Sequence, residues 1–308
     1  MVVLILVTAA LSLQPPARPP VATGRRHLLA TGAAVALSGR HAPPVAAFTE
    51  EDYLAAPLDI TNAVLPAFTQ RDVYLHIHGR GGPDREDADL QKRIETQDAA
   101  AGLNRFVHVF VWREWLDLAG TERISFVGQA IGRKLGQALA TKADLRSLHV
   151  SGTSAGAFCA NEVISAYVSA AGAKRATTRL TLCDPFCGRS DEVGSPWDDG
   201  LSTTGARTFG RDADFAEHYM NTDDPVPTTN FPLPLCHVYD VTGCKERAAF
   251  PPPNTGNFWG DIGLRLLGGH NWPIGYYARH HETVLGADGA PALPSHAEKP
   301  RGAVVKVA

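Results

Sequence analysis

Residues Leu148–Ile164, LHVSGTSAGAFCANEVI, decide how this chain is read. Leu148 and Val150 alternate with His149 and Ser151, the period of a strand, and the run stops at Gly152. From Ser154 onward small and apolar residues recur at helical spacing, predicting a helix over Ser154–Ala171. Between the two lies Gly152-Thr153-Ser154-Ala155-Gly156, a G-x-S-x-G. A serine in such a motif sits on a sharp strand-to-helix turn, raised above the sheet. Side chains two residues to either side would collide there, and Gly152 and Gly156 have none. The turn also sets the Ala155 N–H at a helix start, where unpaired donors face an incoming oxyanion. Ser154 is thus the candidate nucleophile; the plainer reading is a small-residue turn that packs a helix close to a sheet.

Outward from this segment the alternation continues. Upstream, Arg71–His78 reads as a strand with Val73, Leu75 and Ile77 on one face and Tyr74, His76 and His78 on the other. Glu86–Ala101 reads as a polar helix. Arg105–Trp112 is a nearly unbroken β-prone run, as expected of a strand buried on both faces. Thr121–Lys142 carries Ile124, Val127, Ile131, Leu135 and Leu139 on one helical stripe. Downstream, Thr177–Cys183 is a strand, and Phe215–Asn221 and Leu235–Val241 are weaker ones. This order predicts an α/β domain: a mostly parallel central sheet with helices on both faces. Residues 48–308 form one domain on this reading.

Composition agrees with a globular body. The chain has 308 residues, 44% hydrophobic and 20% charged, which suffices to bury a core without disulfide staples. Residues 1–47 hold Arg18, Arg25, Arg26 and Arg40 and none of the 32 acidic side chains, so the remainder is net negative. A net-negative body gives no electrostatic reason to bind nucleic acid. The five cysteines are Cys159, Cys183, Cys187, Cys236 and Cys244. No CxxC spacing suggests zinc; Cys236 and Cys244 could close a small loop, and the plainer reading is buried free thiols.

Residues 1–47 read as an address. VVLILVTAALS is too short to span a bilayer and fits a signal-like apolar run. Arg25-Arg26 before a second apolar run resembles a twin-arginine signal, and Val45-Ala46-Ala47 resembles a cleavage site, giving a mature start near Phe48. Two stacked signals point to a plastid thylakoid lumen, with secretion or twin-arginine export as the alternative and a disordered tail as the plainer one.

The first confident strand runs into His76-Ile77-His78-Gly79-Arg80-Gly81-Gly82. A strand ending in His-Gly is a common oxyanion-loop entry, in which Gly79 would aim the Arg80 N–H at the same pocket as Ala155. One such donor is worth about 3 kcal/mol in the transition state. His76 and His78 also look like a metal pair, but no Asp-His follows them, so no metal or cofactor is expected. For the acid, the residues leave two positions open: Asp184, ending a strand before Pro185, and Asp224 in NTDDPVPTT, with Asp223 behind it. His270, after Gly268-Gly269, is the candidate base; His280 and His281 read as a solvated helix end.

Taken together, HIHG, HVFVWREW, RISFVGQAIGRKLGQAL, HVSGTSAGAF, RLTLCDPF, CHVYDVTGC and GGHNWPIGYYA occur in the order seen in the pancreatic-lipase-like family of α/β hydrolases, which this chain resembles from about Asp72 to Arg279. Thr153 and Ala155 replace that family's usual residues in the nucleophile motif. The resemblance implies an α/β-hydrolase fold, Ser154 as nucleophile, Asp184 as acid and His270 as base, the hydrolase order along the chain. It implies a lid at 245–268, bracketed in the family by a disulfide; Cys244 matches the first cysteine and Gly269 stands where the second would be. It implies a serine esterase or lipase acting on acyl-lipid esters, with contact to a lipid surface. Two other readings stand beside it. GTSAG also occurs in patatin-like acyl hydrolases, which would pair Ser154 with Asp288 of Asp288-Gly289. A hydrolase-like scaffold that binds lipid or protein without turnover is the third.

Overall fold

A computed structural model describes residues 59–115, 123–188, 203–223, 229–250, 269–294 and 300–308. The presequence of residues 1–47, the mature start at Phe48, Asp224 and residues 251–268 of the expected lid lie outside the described residues.

Seven strands form one sheet: β1 (Asp72–Ile77), β2 (Arg105–Phe110), β3 (Ser147–Thr153), β4 (Thr177–Cys183), β5 (Phe215–Met220), β6 (His237–Asp240) and β7 (Val304–Lys306). Their order is β2-β1-β3-β4-β5-β6-β7 and every pairing is parallel. Parallel neighbours require crossovers, supplied here by α1 (Arg85–Ala100), α2 (Ile124–Ala140), α3 (Gly156–Ala171) and the short α4 (Thr204–Thr208). α5 (Trp272–His280) follows β6. The α/β architecture expected from the alternation is present.

The period-2 split of β1 sorts the two faces. Val73, Leu75 and Ile77 join the main core with the α2 stripe and α3. Tyr74 turns to the other face, with Leu90 and Ile94 of α1 and Ile274, Tyr277 and Ala278 of α5. α2 and α3 approach unusually closely: a Cβ added at Gly132 would lie 2.4 Å from the Cys159 carbonyl oxygen.

Two expectations need correction. Arg105–Trp112 was expected to be buried on both faces, but β2 is an edge strand whose middle residues are half-buried. Its apolar run is explained by partial cover on each side: Phe106 stacks on Phe68 at 4.4 Å, and Val107 packs toward Tyr74 and α1. His270, read from the sequence as lying beyond the last strand, does not follow it, because β7 adds to β6 further along the chain. Three residues after a Pro-rich stretch carry too little pattern to be read as a strand. The cysteines follow the plainer reading: all five are buried thiols outside any disulfide, and Cys236 and Cys244 lie at opposite ends of β6.

Candidate active site

The carboxyl ends of β1, β3, β4 and β5 build the site, where ligands of open parallel sheets commonly bind. Thr153 of β3 pairs with Cys183 of β4, so Ser154 and Asp184 leave the sheet side by side. Both turn sharply. Ser154 (φ 52°) and Asp184 (φ 47°) are the two non-glycine residues with positive φ among the described residues. Each such conformation costs roughly 1–3 kcal/mol and persists only where its surroundings enforce it. Here the Ser154 N–H donates to the Cys183 carbonyl at 3.1 Å, and the Phe186 N–H donates to the Ser154 carbonyl at 3.0 Å. The Asp184 N–H donates to the Tyr219 carbonyl of β5 at 2.9 Å.

The two motif glycines are required by space. A Cβ at Gly152 would lie 2.8 Å from the Ala160 methyl, and one at Gly156 would lie 2.4 Å from the Ile77 carbonyl oxygen. α3 therefore starts pressed against the end of β1. No backbone hydrogen bond among the described residues uses the Ala155 or the Arg80 N–H. Gly79 sits close beside the nucleophile turn, where an added Cβ would be 3.1 Å from Ser154 Cβ.

His78 holds the loop that carries Gly79 and Arg80. Its Nδ1–H donates to the Gly79 carbonyl at 2.7 Å, and its Nε2 accepts the Trp112 N–H at 3.2 Å. Burial, ahead of the neighbouring charges, lowers its pKa, in keeping with this neutral tautomer. His76 is also fully used: Nδ1 meets Ser151 Oγ at 2.8 Å and Nε2 meets Asp87 Oδ1 at 2.7 Å. With all four ring nitrogens engaged, the two histidines form no metal pair. No metal-ligating group of three or more residues occurs among the described residues.

His270 Nδ1–H donates to Asp184 Oδ2 at 2.8 Å, which fixes the tautomer and makes Nε2 the basic nitrogen. Asp184 is fully buried, and its other oxygen accepts the Asn221 N–H at 3.3 Å. Trp272 anchors the histidine's helix by donating to the Val241 carbonyl at 2.8 Å. Asn271 reaches across to Asp84 Oδ2 at 3.1 Å, joining the histidine loop to the N-cap of α1.

Ser154, Asp184 and His270 thus lie at one end of the sheet. Asp223 is engaged elsewhere: Arg247 grips it with two hydrogen bonds of 2.7 and 2.5 Å. The structure does not bring Asp288 to Ser154. The Asp288 carbonyl accepts from Arg146, which precedes the first residue of β3, whereas Ser154 follows the last. Seven strand residues separate them, roughly 20 Å. His281 is also not solvated. It is buried, and its Nδ1 meets the Tyr277 hydroxyl at 2.9 Å, one helical turn away. Of the expected lid, Lys245–Ala249 is a 3₁₀ helix.

Sequence reasoning missed the roles of Asn221, Asn271 and Trp272. None lies in the nucleophile motif, and each acts through a partner distant along the chain. No family model matches this chain, and no curated protein matches it.

Proposed function

We propose that this chain is a serine carboxylic-ester hydrolase of the α/β-hydrolase fold, working through an acyl-serine intermediate. One observation carries the proposal: a buried carboxylate at a strained strand end fixes the tautomer of His270, beside a strand whose equally strained end is Ser154. Strain at two adjacent strand ends is hard to explain by packing alone, and it suits groups held ready to react.

In the proposed mechanism His270 Nε2 takes the Ser154 hydroxyl proton as Oγ attacks the ester carbonyl. Asp184 orients the imidazole and stabilises its charged form without itself becoming protonated. The Ala155 N–H, with the Arg80 N–H as second donor, receives the oxyanion. The same proton then passes to the departing alcohol, and water repeats the sequence on the acyl-serine. No cofactor enters these steps.

The substrate class we assign is an acyl-lipid ester, taken up at a lipid surface. It is supported by the lipase-like order of motifs and by the apolar residues Phe258, Trp259, Ile262, Leu264 and Leu266 in the chain before His270. The paired arginines and VAA site support delivery to a plastid thylakoid lumen, which N-terminal sequencing of the native protein tests by a start near Phe48. A fluorophosphonate probe tests the chemistry, and a panel of mono- and diacyl lipids against short soluble esters tests the substrate class. Labelling of Ser154 is expected. An unlabelled, folded protein would turn the reading to a binding scaffold.

A further inference from the structure

The loop after β5 is not consumed by the mechanism above, yet it touches both the acid and the segment carrying the base. Asn221 is fully buried. Its backbone N–H donates to Asp184 Oδ1 at 3.3 Å, and its side-chain Nδ2–H donates to the Gly269 carbonyl at 2.7 Å. Gly269 directly precedes His270. A single residue therefore spans from the carboxylate to the peptide that sets the position of the imidazole.

The side chain's orientation is fixed by chemistry. A carbonyl only accepts, so the amide must turn its nitrogen toward Gly269. The Oδ1 left on the other side is buried without a partner among the described residues. An asparagine placed only to fill space would be expected to satisfy both ends or be replaced by an apolar residue. Its partner is also shaped for it. A Cβ on Gly269 would lie 3.0 Å from Asn221 Nδ2 and 3.2 Å from the Arg247 guanidinium, so a side chain there would press on the contact.

We propose that Asn221 is a positioning residue, fixing the His270 loop at the height where Nδ1 meets Asp184. The kinetic half of this proposal rests on the hydrolase reading; the structural half does not. Asn221→Ala removes the bond to Gly269 and leaves the backbone N–H on Asp184. It is expected to lower kcat about ten- to a hundred-fold, the range for a small misplacement of a catalytic group, with KM within about twofold. The low-field proton resonance of the His270–Asp184 bond should broaden or vanish while the circular dichroism spectrum is unchanged. Asn221→Gln, which keeps a donor, should recover part of both. Wild-type kcat and resonance in Asn221→Ala overturn the proposal, and so does an equal loss in the Ala and Gln variants, which would place the effect in packing. If Asn221→Ala does not fold, Gly269→Ala decides: the same paired loss is expected, and an unchanged kcat and resonance overturn the proposal. Failure of the hydrolase reading is distinguishable, because wild-type protein would then neither turn over esters nor label at Ser154, while the resonance still reports the loop.

Discussion

Two serines of the β3 segment, Ser151 within the strand and Ser154 just past its end, each belong to a serine, histidine and aspartate group. Ser154, His270 and Asp184 sit at the end of the sheet. Three residues earlier, Ser151 meets His76 Nδ1 at 2.8 Å, and His76 Nε2 meets Asp87 at 2.7 Å. By residue type the second group is an equal match. Yet Ser151, His76 and Asp87 are all buried, and the Ser151 hydroxyl is also held by Tyr74 at 2.7 Å. Asp87 spends its second oxygen on the Asp84 N–H, closing the capping box of α1. Ser151 lies mid-strand with no positive φ, whereas Ser154 is forced out of the sheet. The contrast teaches that a triad of residue types makes a polar core contact when every lone pair and proton is spent inside. It becomes a candidate catalyst when the backbone lifts the serine out of the sheet, beside a histidine oriented by a buried carboxylate.

The sharpest break in the comparison is the nucleophile. Ser154→Ala should abolish probe labelling and lower ester turnover by about six orders of magnitude, the scale of nucleophile loss in a coupled triad, with little change in stability. Retained hydrolysis above background would sink the assignment. Next comes the acid. Asp184→Asn should cost about three to four orders in turnover by favouring the wrong tautomer, while Asp224→Asn costs much less; kcat measured on folded variants ranks them, and the reverse order moves the role to Asp224. The sealed group should answer in stability instead. Ser151→Ala strands a buried Tyr74 hydroxyl and a His76 nitrogen and should cost about 1–3 kcal/mol in urea unfolding, with kcat within about threefold. A large fall in kcat at unchanged stability would erase the distinction.

The last expected effect concerns protons. His149 and His281, on the sealed face, are kept neutral. Burial, then the charge of Arg179, lowers both, His281 to about 3. A histidine depressed in the folded state stabilises fully above its unfolded pKa of about 6.5 and loses that contribution as pH falls. Asp84, raised to about 7 by burial and then by the Asp87 charge, acts the other way, its contribution fading as pH rises toward 7. The buried His218, lowered to about 3 by burial, adds to the histidine loss and the exposed Asp84 offsets little of it, leaving a net loss of about 1–4 kcal/mol per pH unit below 6.5. Urea unfolding at pH 7, 6 and 5 measures it, and stability that rises toward pH 5 contradicts it.

Much of the fold was legible because burial writes itself into periodicity: the α2 stripe and the two faces of β1 fell where the pattern put them. The edge position of β2 was not legible, since partial cover by Phe68 and α1 selects the same β-prone residues as full burial. Ser154 was legible through its glycines, whose absent side chains record contacts with α3 and β1. Asp184 and His270 needed the order of motifs to separate them from rivals. Asn221 could not be found, because its meaning lies in a carbonyl 48 residues away. His281 was misread because its neighbour His280 is exposed, while its own environment is set by Tyr277 one turn earlier.

The two hydrogen bonds that close the Ser154 turn carry a consequence for the order of folding. Both reach across to the end of β4 and the segment after it, at Cys183 and Phe186, so β3 and α3 alone hold the serine only through the local bond from the Ala157 N–H to its carbonyl at 3.1 Å. The imidazole arrives from still further off, 86 residues beyond Asp184. Contacts of such long sequence separation carry the largest loop-closure entropy and tend to form late. During refolding, helix and sheet signals should therefore recover before Ser154 becomes reactive toward a probe. A newly made chain would stay chemically quiet until its last third has docked, and its reactivity would serve as a clock for completed folding.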